Sequence, residues 1–166
     1  MMRVGILSDT HDRVERTQRA VRLLIAQGVD ALIHCGDLTN REVVEECSAL
    51  PCYYVFGNND FDESELCRSM TLGGGVCLGK GGEFTLAGRR IAVTHGDSTR
   101  EIRRLAALGP DYLLFGHTHV PADEKHGPTR YINPGALHRA PTWTVARLDL
   151  DSDELVHLDV SDHQGR

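Results

Sequence analysis

Histidine, aspartate and asparagine side chains recur along this chain at short spacings that suit metal binding. Asp9 and His11 are two residues apart, and so are His117 and His119. Residues two apart in extended backbone point to the same side, so each pair could reach one ion together. Oxygen and imidazole donors without thiolate suit manganese, iron, nickel, cobalt or zinc better than calcium.

Five segments rich in such residues each follow an apolar run with the character of a β-strand. Beyond the two pairs, the candidate ligands and their polar neighbours are Asp37, Asn58, Asn59, Asp60, His95 and Asp97. Strand ends are where open α/β folds assemble their sites. Gly36, Gly57, Gly96 and Gly116 flank these residues and would let the backbone turn sharply. One such segment alone is more often a plain turn, but five in succession favour a shared metal site.

The hydrophobic pattern predicts the elements that position these residues. Strands are expected over residues 3–8, 30–35 and 52–56, and helices over 13–27, from Asn40 onward and over 62–70. Later strands are expected over 83–86, 90–94, 111–115, 131–133, 142–150 and 154–160, with a helix over 99–108. The glycine-rich stretch 73–82 is expected to be a flexible connection. This order favours two sheets packed together with helices outside.

Composition favours one domain over residues 1–166. Of these 166 residues, 40% are hydrophobic and 25% are charged, which is ordinary for a globular protein. The apolar runs are far shorter than the roughly 20 residues of a membrane helix, and the start lacks the apolar stretch of a signal peptide. Five cysteines without a CxxC spacing are typical of reduced thiols. We therefore expect a cytoplasmic protein that does not contact a membrane.

The net charge of the chain affects which molecules its surface can attract. A formal net charge of −6 gives the surface no average attraction for nucleic acid or acidic lipid. Two bound divalent cations would nevertheless make the site itself cationic. These properties disfavour nucleic acid as a partner and do not exclude a phosphate substrate. Valine and leucine side chains on the late strands could build the surface of a homodimer or homotetramer.

The chain resembles the calcineurin-like metallophosphoesterase superfamily in five ordered segments. They are Asp9-x-His11, Gly36-Asp37, Gly57-Asn58-Asn59-Asp60, His95-Gly96-Asp97 and Gly116-His117-Thr118-His119. The resemblance covers residues 3 to about 160. The short length and the stretch from Ile132 to Gly135 are similar to small bacterial and archaeal phosphodiesterases, relatives of the retromer subunit with the same fold. The resemblance to the superfamily implies an α/β (α+β) fold, which is a four-layer αββα sandwich of two mixed sheets flanked by helices.

The resemblance also implies a pair of divalent cations. The ligands implied for one ion are Asp9, His11, Asp37 and His119. Those implied for the other ion are Asn58, His95, His117 and the same, bridging Asp37. Spacing alone does not decide which of His117 and His119 serves which ion. Manganese is the expected metal, and nickel, iron, cobalt and zinc are alternatives.

The implied reaction is hydrolysis of a phosphodiester by a hydroxide that bridges the two cations. The catalytic residues implied are Asp37, Asn58, Asn59, Asp60 and His95. Three alternatives stay open: a phosphomonoesterase, a nuclease, and a non-catalytic interaction module like the retromer subunit. The chain lacks the additional DNA-binding regions that such nucleases usually have, and the intact histidines argue against the module.

Asn59 departs from the superfamily pattern. Much of the superfamily has a histidine there that protonates or stabilises the leaving oxygen. An amide cannot deliver a proton at neutral pH, so general-acid assistance of roughly 10² to 10⁴ would be missing.

Four other polar residues have two interpretations each. Asp60 and Asp97 would either orient ligands or lie in surface turns. Asn133 would support a ligand or end a strand, and Arg139 would meet substrate phosphate or be solvated.

Overall fold

The computed structural model describes residues 1–161 and contains four helices and eleven strands within that range. The helices are α1 (Val14–Ala26), α2 (Arg41–Cys47), α3 (Glu63–Leu72) and α4 (Thr99–Ala106). The strands are β1 (Arg3–Leu7), β2 (Ala31–His34), β3 (Cys52–Tyr54), β4 (Val76–Cys77), β5 (Gly81–Leu86), β6 (Arg89–Thr94), β7 (Tyr112–Leu114), β8 (Ala122–His126), β9 (Thr129–Asn133), β10 (Thr144–Asp149) and β11 (Leu155–Asp159). Among these described helices, none is long and apolar enough to cross a bilayer.

The strands form two mixed sheets. The six-stranded sheet has the order β11-β10-β1-β2-β3-β4, in which β1 to β4 run parallel and β10 pairs antiparallel with β1 and β11. The five-stranded sheet has the order β5-β6-β7-β9-β8, with a parallel centre and an antiparallel strand at each edge. In each sheet the parallel strands end at one common edge, so the segments that follow them are brought together.

Side chains that alternate between the two faces of each sheet form the hydrophobic cores between the layers of the sandwich. Val4 and Ile6 of β1 contact one hydrophobic core, whereas Leu7 contacts another, because successive side chains of a strand point to opposite faces. The first core lies between the sheets and also contains Ile91 and Val93 of β6. Helices α1, α2 and α3 pack on the outer face of the six-stranded sheet, and α4 packs on the outer face of the other. The predicted αββα sandwich is therefore confirmed.

The predicted helices and most of the predicted strands are confirmed. Asn40 begins α2 as expected, since its side chain accepts a hydrogen bond from the backbone N–H of Val43 at 3.1 Å. The sequence pattern missed β8 because this edge strand is largely exposed and has no apolar alternation. The expectation of a flexible connection over residues 73–82 is wrong. That stretch contains β4, and Gly81 and Gly82 begin β5 in register with β6.

Leu24 and Ile25 are neighbours on α1 in opposite environments, with exposed fractions of 0% and 44%. Leu24→Ala leaves a cavity beneath the helix, so we expect the free energy of unfolding to fall by about 3 kcal/mol. Ile25→Ala is the matched control and should change it by less than about 1 kcal/mol. Urea denaturation followed by circular dichroism measures both values. Equal losses would contradict the packing of α1 described above.

Candidate metal centre

The candidate ligands lie in the loops that follow the parallel strands of both sheets. The residues after β1, β2 and β3 are Asp9, His11, Asp37 and Asn58, and those after β6 and β7 are His95, His117 and His119. Contacts across the sheets join the two sets. The backbone N–H of His117 donates to Asp9 Oδ2 at 3.0 Å, and His95 Nδ1 lies 2.8 Å from the carbonyl oxygen of Cys35.

Two overlapping groups of side chains are close enough to hold a cation. Ligand atoms of Asp9, His11 and His119 lie within 4.8 Å of one another, as do those of Asp9, Asp37 and His95. His119 Nε2 lies 3.1 Å from Asp9 Oδ1. Asp37 Oδ2 lies 3.6 Å from His11 Nε2 and 3.3 Å from His95 Nε2. Asp37 thus lies between one histidine of each expected ligand set, as a bridging carboxylate would. Asp9 also lies between His119 Nε2 at 3.1 Å and His95 Nε2 at 3.8 Å and is common to both groups.

The two remaining candidates, Asn58 and His117, are exposed. The ring of His117 lies edge-on to that of His95, with centroids 5.1 Å apart. Within residues 1–161, no hydrogen bond or ion pair joins the Asn58 side chain to another candidate ligand. The structure therefore brings five of the seven candidates into direct proximity and leaves Asn58 and His117 exposed beside them.

Imidazole nitrogens at this centre are oriented as metal ligands. Nδ1 of His95 lies 2.8 Å from the carbonyl oxygen of Cys35, and Nδ1 of His119 lies 3.2 Å from that of Arg139. Since a carbonyl oxygen only accepts, each Nδ1 carries the proton and each Nε2 faces the carboxylates. Nε2 of His95 and of His11 are buried without a hydrogen-bond partner. Unpaired buried nitrogens beside carboxylates fit a divalent cation, which would satisfy both groups.

The electrostatics of the centre favour positive charge. Asp9 and Asp37 are 0% and 2% exposed, and within residues 1–161 their ion pairs are all with histidines. Burial alone would raise the pKa of Asp37, but its contacts with His95 and Asn59 hold that pKa far below its usual range. Burial alone would lower the pKa of His95, but contact with Asp37 and the charges of both carboxylates raise it to about 9. A divalent cation would take the place of that proton for the same electrostatic reason.

Strained backbone presents the ligands. Five of the nine non-glycine residues with positive φ in the described chain are Asp9, His11, Asp37, His117 and His119, with φ between 47° and 67°. The expectation that each two-apart pair is presented by extended backbone is therefore wrong. Backbone bonds hold the first loop instead, from Asp9 N to Gly36 O at 3.0 Å and from His11 N to Asp37 O at 2.9 Å. Such conformations cost roughly 1–3 kcal/mol each and occur at functional sites whose surroundings enforce them.

Glycines permit the close packing around the two carboxylates. A Cβ on Gly57 would lie 2.1 Å from Asp37 Oδ1, and one on Gly116 would lie 2.6 Å from Asp9 Oδ2. The backbone at these positions therefore touches the carboxylates directly. Gly36 and Gly96 have φ of 97° and 104°, so these two have the turning role expected from the sequence.

Asp60 supports the loop that carries Asp37. Its carboxylate is 3% exposed and accepts backbone hydrogen bonds from Asp37 and Gly57, both at 2.8 Å, and from Thr39 at 2.7 Å. Burial raises the pKa of Asp60 in spite of these bonds. Asp97 is exposed. Asp60 thus lies where it can orient a ligand, whereas Asp97 lies where a surface turn residue would.

Two asparagines hold the loops through their amide groups. Asn59 donates to Asp37 from Nδ2 and from its backbone N–H, both at 2.9 Å. Asn133 is 0% exposed, and its Nδ2 donates to Gly116 O and Thr118 Oγ1, both at 3.0 Å. Both interpretations therefore describe Asn133, which ends β9 and supports the loop of His117 and His119 through its amide.

Two contacts of the ligands were missed by sequence reasoning. Ser8 Oγ donates to Asp9 Oδ2 at 2.6 Å, and its position next to Asp9 is a signal that could have found it. The ring centroid of His138 lies 4.3 Å from that of His11, a contact that no sequence spacing indicates. Arg139 is exposed, which is compatible with both of its interpretations.

The sequence of the chain matches a known protein family. Residues 2–153 match the family model of the calcineurin-like phosphoesterase superfamily domain. The chain belongs to this superfamily. The five segments recognised in the sequence all lie within the matched region, so the family expected from them is confirmed.

Individual relatives of this superfamily member span nearly all of it. A phosphodiesterase of Methanocaldococcus jannaschii is 27% identical over 92% of this chain and 96% of its own length. The probable metallophosphoesterase YsnB of Bacillus subtilis is 32% identical over 92% of this chain and 86% of its own length. A solved structure of an archaeal phosphodiesterase has a TM-score of 0.88 at 25% identity and covers 95% of this chain and 99% of its own. Vps29 of Entamoeba histolytica has a TM-score of 0.64 at 16% identity over 95% of this chain and 99% of its own, which shows a shared fold alone.

Asp60→Asn should weaken metal binding although Asp60 is outside the expected ligand set. The amide keeps one acceptor oxygen for three backbone donors, so at least one buried N–H loses its partner. We expect the affinity for manganese to fall about 10- to 100-fold, as for other residues that orient ligands. Isothermal titration calorimetry measures this loss. Asp97→Asn is the matched control, and a similar loss there would contradict the orienting role of Asp60.

Proposed function

We propose that this protein is a two-metal phosphodiesterase that acts on a small phosphate ester. The observation that carries the proposal is the close grouping of two buried carboxylates with imidazoles, two of which have Nε2 atoms without hydrogen-bond partners. Membership of the superfamily supports phosphoester hydrolysis. The relatives named phosphodiesterases support a diester over a monoester substrate.

Two ligand sets that share one carboxylate make up the proposed centre. The first set is Asp9, His11, Asp37 and His119. The second set is Asp37, Asn58, His95 and His117. Seven residues with one shared carboxylate give about four protein bonds per ion, which leaves coordination positions for water and substrate. Manganese is the first metal to test, followed by nickel, iron, cobalt and zinc, because all of them accept mixed imidazole and oxygen donors.

The side chains of the centre are positioned before substrate binds. When bound, two divalent cations would supply a hydroxide from a shared water of lowered pKa and would bind the phosphoryl oxygens during in-line displacement. Asp37 is oriented by the amide of Asn59 at 2.9 Å, and Asp60 supports its loop. His95 is oriented by the carbonyl of Cys35. This preorganisation means that little rearrangement opposes the reaction.

Activity on a chromogenic diester tests the proposed function. We expect metal-stimulated release of nitrophenol from bis-p-nitrophenyl phosphate, with a higher kcat/KM than for p-nitrophenyl phosphate. Asp37→Asn should lower kcat/KM by about 10³ or more, because it would remove the negative charge of the one ligand that the two proposed sets share. Asp97→Asn should keep wild-type activity. No turnover with any of the five metals would favour an interaction module, and a preference for the monoester would favour a phosphatase.

The leaving group should strongly affect the rate. Asn59 donates its amide to Asp37 and cannot protonate a leaving oxygen. We therefore expect kcat/KM to fall about 100-fold or more across a series of aryl methyl phosphates with increasing leaving-group pKa. Asn59→His should flatten this dependence, whereas Asn59→Gln, which also lacks a proton to give, should not. A flat dependence in the wild type would refute the missing general acid.

A further inference from the structure

A cleft next to the candidate metal centre is lined by several positively charged side chains. Its volume is about 380 Å³, and the residues that line it are Arg13, Arg16, His138, Arg139, Ala140 and Trp143. We call it the cationic cleft, because the lining residues within 1–161 include three arginines and no carboxylate, in a chain of net charge −6. Guanidinium groups bind phosphate oxygens through paired, charge-assisted hydrogen bonds.

Direct contacts connect the cationic cleft to the expected metal ligands. The ring centroid of His138 lies 4.3 Å from that of His11. The carbonyl oxygen of Arg139 lies 3.2 Å from His119 Nδ1, and Arg13 Nε lies 3.4 Å from His138 Nδ1. The neighbouring rings of His11 and His138 therefore lie between the candidate metal centre and the cationic cleft. A single small molecule can reach both sites.

Arg16 is held in place without a ligand. Its guanidinium carbon lies 3.2 Å from the centroid of the Trp143 ring, and its Nη1 donates to the carbonyl of Leu137. Burial and the charges of Arg13 and Arg19 lower the pKa of Arg16. Neighbouring like charges repel one another, and an anion bound between Arg13 and Arg16 would relieve that repulsion.

Two exposed carboxylates, Asp12 and Glu15, line a neighbouring cleft together with Arg13 and Arg16. Asp12 lies 3.8 Å from Arg13 Nε, with the two side chains 68% and 49% exposed. Exposed pairs of this kind contribute roughly 0–1 kcal/mol, so Arg13 stays available for a substrate anion.

We propose that the cationic cleft binds a second phosphate group of the substrate molecule, close to the phosphodiester that is cleaved. This inference rests on the proposed phosphodiesterase function. A volume of about 380 Å³ is at the lower end of small-molecule sites and accommodates a phosphate with part of the group that carries it. The substrate class is therefore a small diester with an additional phosphate, such as a phosphorylated nucleotide ester.

A matched pair of substrates tests this assignment. Thymidine 5′-(p-nitrophenyl phosphate) and its 3′-phosphorylated derivative share a leaving group and differ in the second phosphate. We expect the 3′-phosphate to raise kcat/KM about tenfold or more, mainly through a lower KM. An equal or lower kcat/KM for the phosphorylated substrate would overturn the proposal.

Variants localise the preference to the cleft. Arg13→Gln and Arg139→Gln should each reduce the ratio of the two kcat/KM values at least about threefold. Arg103→Gln is the matched control, since Arg103 is an exposed arginine of α4 outside the cleft. An equal reduction in Arg103→Gln would mean that net charge alone is responsible and would overturn the proposal.

Phosphate binding can also be measured without turnover. Trp143 is the single tryptophan of the chain and lines the cleft, so its fluorescence reports binding there. Inorganic phosphate added to EDTA-treated protein should give a saturable change, at least about threefold weaker in Arg13→Gln and unaltered in Arg103→Gln. A response without turnover of either ester would refute the proposed function and support the cleft as a phosphate site. Turnover without a response or a preference would refute the cleft alone.

Discussion

The centre of this molecule depends on the burial of two carboxylates, Asp9 and Asp37, within reach of one imidazole. His95 Nε2 lies 3.8 Å from Asp9 and 3.3 Å from Asp37, and within residues 1–161 neither carboxylate pairs with lysine or arginine. Buried negative charges are costly unless positive charge compensates them. The two carboxylates raise the pKa of His95 for this reason, and divalent cations would compensate their charge more fully than a proton does.

The fold brings these charges together through strand ends. Parallel strands of both sheets end at the same side of the sandwich, and the loops that follow adopt left-handed backbone at five of the expected ligands. Gly57 and Gly116 let neighbouring backbone touch the two carboxylates, and Asp60 fixes the Asp37 loop through three backbone hydrogen bonds. Strain at the loops is thus compensated by packing and hydrogen bonds that few side chains can provide.

Local charge, and not net charge, governs what this acidic protein could bind. The chain carries a net charge of −6, yet the donor set at its centre suits cations, and three arginines line the adjoining cleft. An acidic surface has no average attraction for polyanions, and the phosphate site proposed for the cationic cleft depends on local charge instead. The likeness to Vps29 at 16% identity shows the fold alone, and a fold by itself does not imply catalysis. The arrangement of the side chains carries that argument.

Sequence alone determined the superfamily, the order of most helices and strands, and the candidate ligands, because hydrophobic period and donor type are local properties of the chain. It did not reveal β8, whose exposed faces have no apolar alternation, nor the left-handed backbone at Asp9 and His11. The family resemblance had already grouped His119 with Asp9, which the structure places 3.1 Å apart. Only the tertiary structure decided that Asp60 faces inward while Asp97 does not, and that His138 lies against His11. Those relations arise from the packing of distant segments, and residue spacing contains no information about them.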